Sequence, residues 1–260
     1  MTLSIRRLSY ALGAEVIGFD MSRPMDDKAF TEINNAFLEH CLLLFRGQNI
    51  TREQHIAFSK RFGSLAPHHD PKKLVPGYSE FFLVLNKPKP NGEAATGPRT
   101  GEVWHTDHSH LVAPAAASLL RAVEVTSIGG DTMFANMYMA YDNLSDGMKK
   151  MLDGLYGVHF QSKAYATPGQ SPKEFPSAAH PLVRVHPESG RKALYVNGQV
   201  RWIAGMTAAE TRPLVDFLTE HATRPQFVYR HQWQKNDLVM WDNRCLMHIA
   251  LPDYDRREVR

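Results

Sequence analysis

Residues 117–134, ASLLRAVEVTSIGGDTMF, hold two short strand-like runs, Ala117–Val123 and Asp131–Phe134. Four more runs of the same kind follow: Leu182–Val185, Ala193–Val196, Phe227–Arg230 and Asp237–Trp241. Each is about the length of a strand and too short for a helix that must nucleate and propagate. Only two helical stretches interrupt them. One lies near Ser145–Leu155; the other is Thr207–Ala222, opened by a capping box of Thr207 and Glu210. Many short, widely spaced strands with few helices favour a barrel or jelly roll over a βαβ sheet. No Gly-rich loop follows a strand, which argues against a dinucleotide or P-loop enzyme.

Upstream, the chain opens as mixed α/β. Ala14–Phe19 reads as a strand, and Asp27–Cys41 places Phe30, Ile33, Phe37 and Leu38 at helical spacing. Cys41–Phe45, CLLLF, is a buried strand closed by Arg46 and Gly47. Thr51 and Gln54 form a second capping box, with Ile56, Phe58 and Phe62 on the apolar side of the helix it opens. From 66 to 103 Pro, Lys, His and Gly dominate, and a long loop around a strand at Phe81–Leu85 is expected; loops of that length are uncommon unless functional.

The 260 residues are 43% hydrophobic and 22% charged, ordinary for a globular chain and unlike a disordered or collagen-like one. No run approaches the ~18 apolar residues of a membrane span, so no membrane role is expected. The opening residues make a poor signal peptide, and two cysteines, Cys41 and Cys245, are too few for a disulfide framework; a cytoplasmic location is expected. A net charge of +3 with scattered basic residues lacks the stripe that nucleic acid requires.

Chemistry concentrates in Trp104-His105-Thr106-Asp107-His108. In extended backbone, residues i and i+2 share a face, so His105 and Asp107 can point at one atom. Two imidazoles and one carboxylate form the facial triad that leaves coordination positions on Fe(II) open. The second imidazole must come from elsewhere, and His248 stands just beyond the buried run ending at Trp241.

Further stretches surround these residues: Leu12-Gly13-Ala14-Glu15-Val16, Phe45-Arg46-Gly47-Gln48, Gln54-His55-Ile56-Ala57-Phe58, Gly129-Gly130-Asp131-Thr132, His186 to Lys192, and Trp241-Asp242-Asn243-Arg244. In this order they resemble the taurine dioxygenase and 2,4-dichlorophenoxyacetate dioxygenase family of Fe(II)/2-oxoglutarate-dependent oxygenases, over nearly the whole chain. The resemblance implies a mainly β fold with flanking helices, a double-stranded β-helix (jelly roll). It implies one dioxygenase domain over 1–260, expected to lack its C-terminal end because the family's second arginine and closing strand would follow Arg260.

The resemblance also implies that His105, Asp107 and His248 bind Fe(II), and that Thr132 donates a hydroxyl to the carboxylate of the co-substrate 2-oxoglutarate, with O2 as oxidant. An arginine must hold the same carboxylate, because a planar guanidinium binds it bidentately and stays charged. Arg260, twelve residues after His248, is the first choice by spacing; Arg257, nine after, is the alternative by its local wording. His68, His69 and Trp104 are candidates for the substrate wall. Asp107 stands where related halogenases lack a carboxylate, so hydroxylation is expected.

The expected substrate is a small organic anion, first an aryloxyalkanoate, cleaved at its ether after hydroxylation, and second a taurine-type alkylsulfonate. Two other classes compete: a non-catalytic metal-binding jelly roll, and a zinc hydrolase using the same three ligands. A homo-oligomer is left open.

Overall fold

The structure, a computed structural model, describes residues 3–66, 74–94, 101–161 and 176–260. The chain is mainly β. A five-stranded sheet has the order β1-β2-β3-β14-β6, built from β1 (Ser4–Arg7), β2 (Ala14–Ile17), β3 (Leu42–Phe45), β6 (Ala117–Arg121) and β14 (Leu238–Asp242). A three-stranded sheet runs β13-β7-β15, from β7 (Thr132–Asn136), β13 (Val228–His231) and β15 (Leu246–Ala250). Another runs β12-β8-β9, from β8 (Tyr156–Phe160), β9 (Ser177–Pro181) and β12 (Val200–Ile203). Two short pairs complete the β structure: β4 (Leu74–Val75) with β5 (Tyr78–Phe82), and β10 (Val183–Val185) with β11 (Lys192–Leu194).

Strand β3 and residues 238–241 of β14 are apolar because both of their faces are covered. Leu42, Leu44, Val239 and Trp241 point into one core, with Phe134, Tyr138, Leu194 and Leu218. Leu43, Phe45, Leu238 and Met240 point into the other, with Ile33, Phe37 and Phe58. Side chains that alternate with period two, both sets apolar, require exactly such cover on both sides only if both sets are buried, and here they are. The helices α1 (Asp27–His40) and α2 (Arg52–Lys60) supply the second core. Both begin at side-chain caps, Asp26 and the Thr51/Gln54 capping box. Helix α1 ends where Cys41 takes φ 63°, with its N–H bonded back to Phe37, so Cys41 is a cap and not part of the helix or strand.

Some sequence expectations shift. The strand expected at Phe81–Leu85 lies earlier, because Gly77 at φ 84° turns β4 back onto β5 and sets the pairing there. A short helix not expected from the sequence, α3 (Met137–Asp142), precedes α4 (Asp146–Leu152), which forms where a helix was expected near Ser145–Leu155. Asn136 starts the first by accepting from the N–H groups of Tyr138 and Met139, and Ser145 starts the second. The helix opened by Thr207 is α5 (Ala208–Ala222), with its capping box formed. Among the described residues no helix is long and apolar enough to cross a membrane.

Candidate metal centre

Asp107 and its neighbours are brought to β15 by a single antiparallel bridge. The His105 N–H donates to the His248 carbonyl at 3.0 Å, and the His248 N–H donates to the His105 carbonyl at 2.8 Å. On its other side His248 pairs with Phe134 of β7. The bridge sets the two imidazoles side by side, ring centroids 4.2 Å apart. Both Nε2 atoms face Asp107 Oδ1, at 3.6 Å from His105 and 3.8 Å from His248. Among the described residues these three form the group of His, Cys, Asp or Glu whose ligand atoms lie within 4.8 Å of one another.

Each donor is oriented by a different means. His105 donates its Nδ1–H to the Val103 carbonyl at 2.7 Å, which leaves the Nε2 lone pair for a metal. His248 is held by packing: Trp241 lies 4.9 Å away and Phe134 stacks at 5.8 Å with a 22° interplanar angle. Burial, with His105 alongside, lowers the His248 pKa to about 3, so the ring is neutral and able to ligate at any ordinary pH. Asp107 is opposed by burial, yet His248, His105 and a hydrogen bond from Ser118 together hold its carboxyl below the usual range. Two imidazoles and a carboxylate, all aimed at one point, fit a divalent cation of the non-haem Fe(II) kind.

The triad opens into a cavity of 640 Å³ whose walls include Thr132, Trp233, Trp241 and Arg260. Thr132 is buried, and its hydroxyl oxygen accepts from Trp233 Nε1 at 3.0 Å. With that lone pair engaged, the hydroxyl proton is the group Thr132 has left to give. Arg260 reaches the wall because its segment is pinned from two sides. Its backbone exchanges hydrogen bonds with Asn86 at 2.9 and 3.2 Å, and Asn86 Nδ2 donates to the carbonyls of Arg256 and Glu258. On the other side, Gly129 at φ 73° comes so close to Asp253 that a Cβ would sit 2.1 Å from its carbonyl oxygen.

Arg257 is placed differently. Its guanidinium is spent on Asp255, Nε donating to both carboxylate oxygens at 3.0 Å, and it is absent from the described cavity wall. Trp104 also departs from expectation. Alternation along 103–105 puts Val103 and His105 on the cavity and turns Trp104 into the main core. His108 and His110 both line the cavity, His108 at φ 57°. His68 and His69 lie outside the described residues.

Phe62, Phe81, Val84, Leu111 and Leu119 give the cavity wall apolar surface, together with the small residues 113–117, and His55, Glu80, His108, His110 and Gln199 also line it. Sequence reading gave Ser118 no part in the centre and quoted Asn243 only within the Trp241–Arg244 stretch, with no role; their bonds around Asp107 arise once the strands are paired.

A family model described as taurine catabolism dioxygenase TauD, TfdA family matches residues 4–260. The chain is 35% identical over 269 residues to the alpha-ketoglutarate-dependent 2,4-dichlorophenoxyacetate dioxygenase of Cupriavidus pinatubonensis, covering 96% of this chain and 93% of that one. It is 33% identical over 266 residues to the alkylsulfatase of Acinetobacter baylyi, covering 97% and 81%. Among solved structures it is similar to AAD-2 in complex with Mn(II) and N-oxalylglycine, with a TM-score of 0.87 and 35% identity over 100% of this chain and 94% of that one.

Proposed function

From the premise that this chain belongs to the TauD/TfdA family, we propose that it hydroxylates a small organic anion with an apolar, aromatic body, an aryloxyalkanoate first of all. The chain is an Fe(II)- and 2-oxoglutarate-dependent dioxygenase, as its curated relatives are. The reading of its fold that accords with the family is the double-stranded β-helix.

The division of labour follows from the side chains. His105, Asp107 and His248 would hold Fe(II), and Thr132 and Arg260 would hold the distal carboxylate of 2-oxoglutarate. Bound together, Fe(II), 2-oxoglutarate and O2 supply the oxidising power for inserting oxygen into a C–H bond. Thr132 contributes its hydroxyl proton and Arg260 a permanent charge; the pair fixes the co-substrate's far end without changing protonation state. Trp241 and Phe134 shield His248 from water.

The observation that carries the substrate class is the apolar share of the cavity wall. Phe62, Phe81, Val84, Leu111 and Leu119 favour a hydrophobic body over a small, fully hydrated one such as taurine. Hydroxylating the carbon beside an ether oxygen gives a hemiacetal, which collapses to a phenol and an oxo acid. The test is a panel of aryloxyacetates, aryloxypropionates, alkyl sulfates and taurine, scored for succinate release with Fe(II) in air. Aryloxy acids are expected to give the highest kcat/KM with release of phenol; taurine or an alkyl sulfate outperforming them would reverse the assignment. Removing oxygen abolishes turnover, whereas a zinc hydrolase would be indifferent to it.

A further inference from the structure

Behind the carboxylate ligand lies a closed set of hydrogen bonds. Asn243 is 1% exposed and sits directly after β14. Its Oδ1 accepts two N–H donors, Trp241 Nε1 at 3.1 Å and the Asp107 backbone at 3.3 Å. Two donors on that atom identify it as the oxygen, so the other terminal atom is the NH2 group. Asn243 Nδ2 donates to Ser118 Oγ at 2.9 Å. A serine oxygen that receives this donor turns its own proton elsewhere, and Ser118 donates to Asp107 Oδ2 at 2.6 Å.

Sheet register builds this arrangement. Ser118 on β6 lies opposite Trp241 on β14, and the Asn243 N–H donates to the Ala116 carbonyl at 2.9 Å, which continues the ladder one residue past the strand. Asn243 therefore grips Asp107 at its backbone and, through Ser118, at its carboxylate. Oδ2 is tied to protein, while Oδ1 is the oxygen that faces both imidazole Nε2 atoms.

We infer that Ser118 and Asn243 are positioning residues that commit Asp107 to offering a single oxygen to the metal. The inference rests on the metal-centre reading above. With the clamp in place, Oδ2 is withheld from the ion and a coordination position stays open for the co-substrate or oxygen. Without it, the carboxylate is free to rotate about its Cβ–Cγ bond, and the three donors are no longer preorganised.

The test titrates the metal-free protein with Mn(II), following loss of the free-ion electron paramagnetic resonance signal, and with Co(II), following its visible absorption. Ser118→Ala is expected to weaken Mn(II) binding about 10- to 100-fold and to change the Co(II) band intensity, since that intensity follows coordination number and symmetry. Ser118→Thr, which keeps the hydroxyl, is expected to stay close to the parent in both readouts. Thermal melts report whether each variant folds, and Ser118→Cys, of similar size with a weak donor, gives an intermediate measurement if the alanine variant is unstable. Parent-like Mn(II) affinity and Co(II) spectrum in Ser118→Ala, with binding lost in Asp107→Ala, overturns the clamp and leaves the metal centre standing. Unchanged binding in Asp107→Ala overturns both.

Discussion

Two parts of the cavity wall are held by different means. At the metal centre, Ser118, Asn243, Trp241 and the His105–His248 bridge tie every ligand-bearing segment to a central strand by directional bonds between residues remote in sequence. Elsewhere in the wall, Phe62 beside α2 and Phe81 on β5 meet their neighbours by ring packing, Phe62 against Phe30, Phe37 and Phe58, and Phe81 against His55 and Tyr78. Packing tolerates changes of side chain that preserve volume, whereas a hydrogen-bonded polar set fails when one member is removed. On the proposed reading, the chemistry would be fixed by the hydrogen-bonded part and the choice of substrate set by the packed side chains.

The sharpest way to break this contrast is at the ligands. His105→Ala or Asp107→Ala should eliminate turnover for every substrate together with Fe(II) binding, read by succinate release and metal titration; a variant that keeps full activity would remove the triad from the mechanism. Next in size is the co-substrate grip. Arg260→Ala should raise the 2-oxoglutarate requirement by the cost of a charge-assisted contact, ~1.5–3 kcal/mol or roughly 10- to 150-fold. Arg257→Ala, already paired with Asp255, should leave that requirement unchanged; the reverse pattern would exchange their roles.

A pH measurement compares the two parts through stability. His55, buried against Phe81, has its pKa lowered to about 4 by burial and by Arg121. Unfolding restores a value near 6.5, so the unfolded chain takes up the proton first. Stability contributed by this group is intact above pH 6.5 and falls as the pH drops toward 4, by at most ~1.4 kcal/mol per pH unit. Urea unfolding at pH 7.5 and 5.5 should therefore show a smaller acid loss in His55→Gln than in the parent. Smallest is the effect of trimming the wall: Phe81→Ala should raise KM for aryloxy acids about fivefold, equivalent to ~1 kcal/mol of lost apolar contact, without altering the 2-oxoglutarate requirement. A change in both would mean that the two parts are coupled.

Much of this was legible in the chain because it depends on local patterns. The i, i+2 spacing of His105 and Asp107 needs only an extended backbone, and the capping boxes at Thr51 and Thr207 formed as read. Strands β3 and β14 were evident from their unbroken apolar runs. Strands β8, β9 and β15 were not, since YGVHF, SAAHP and LMHIA mix polar and small residues whose exposure depends on the neighbouring strand. The same limit applied to Trp104, which looked like a pocket wall beside a ligand and proved to face the core.

Sequence by itself determined which donors exist and the character of each strand: an imidazole stays an imidazole, and a run such as CLLLF must be buried wherever it goes. Only the tertiary structure decided that His248 meets His105 across a backbone bridge, that Arg260 reaches the cavity while Arg257 is spent on Asp255, and that Ser118 and Asn243 stand behind Asp107. Strand register is the reason. It is fixed by bonds between segments far apart in the chain, and a shift of one residue would turn His248 or Ser118 to the opposite face; Arg260, outside any strand, is held instead by the bonds of its segment to Asn86.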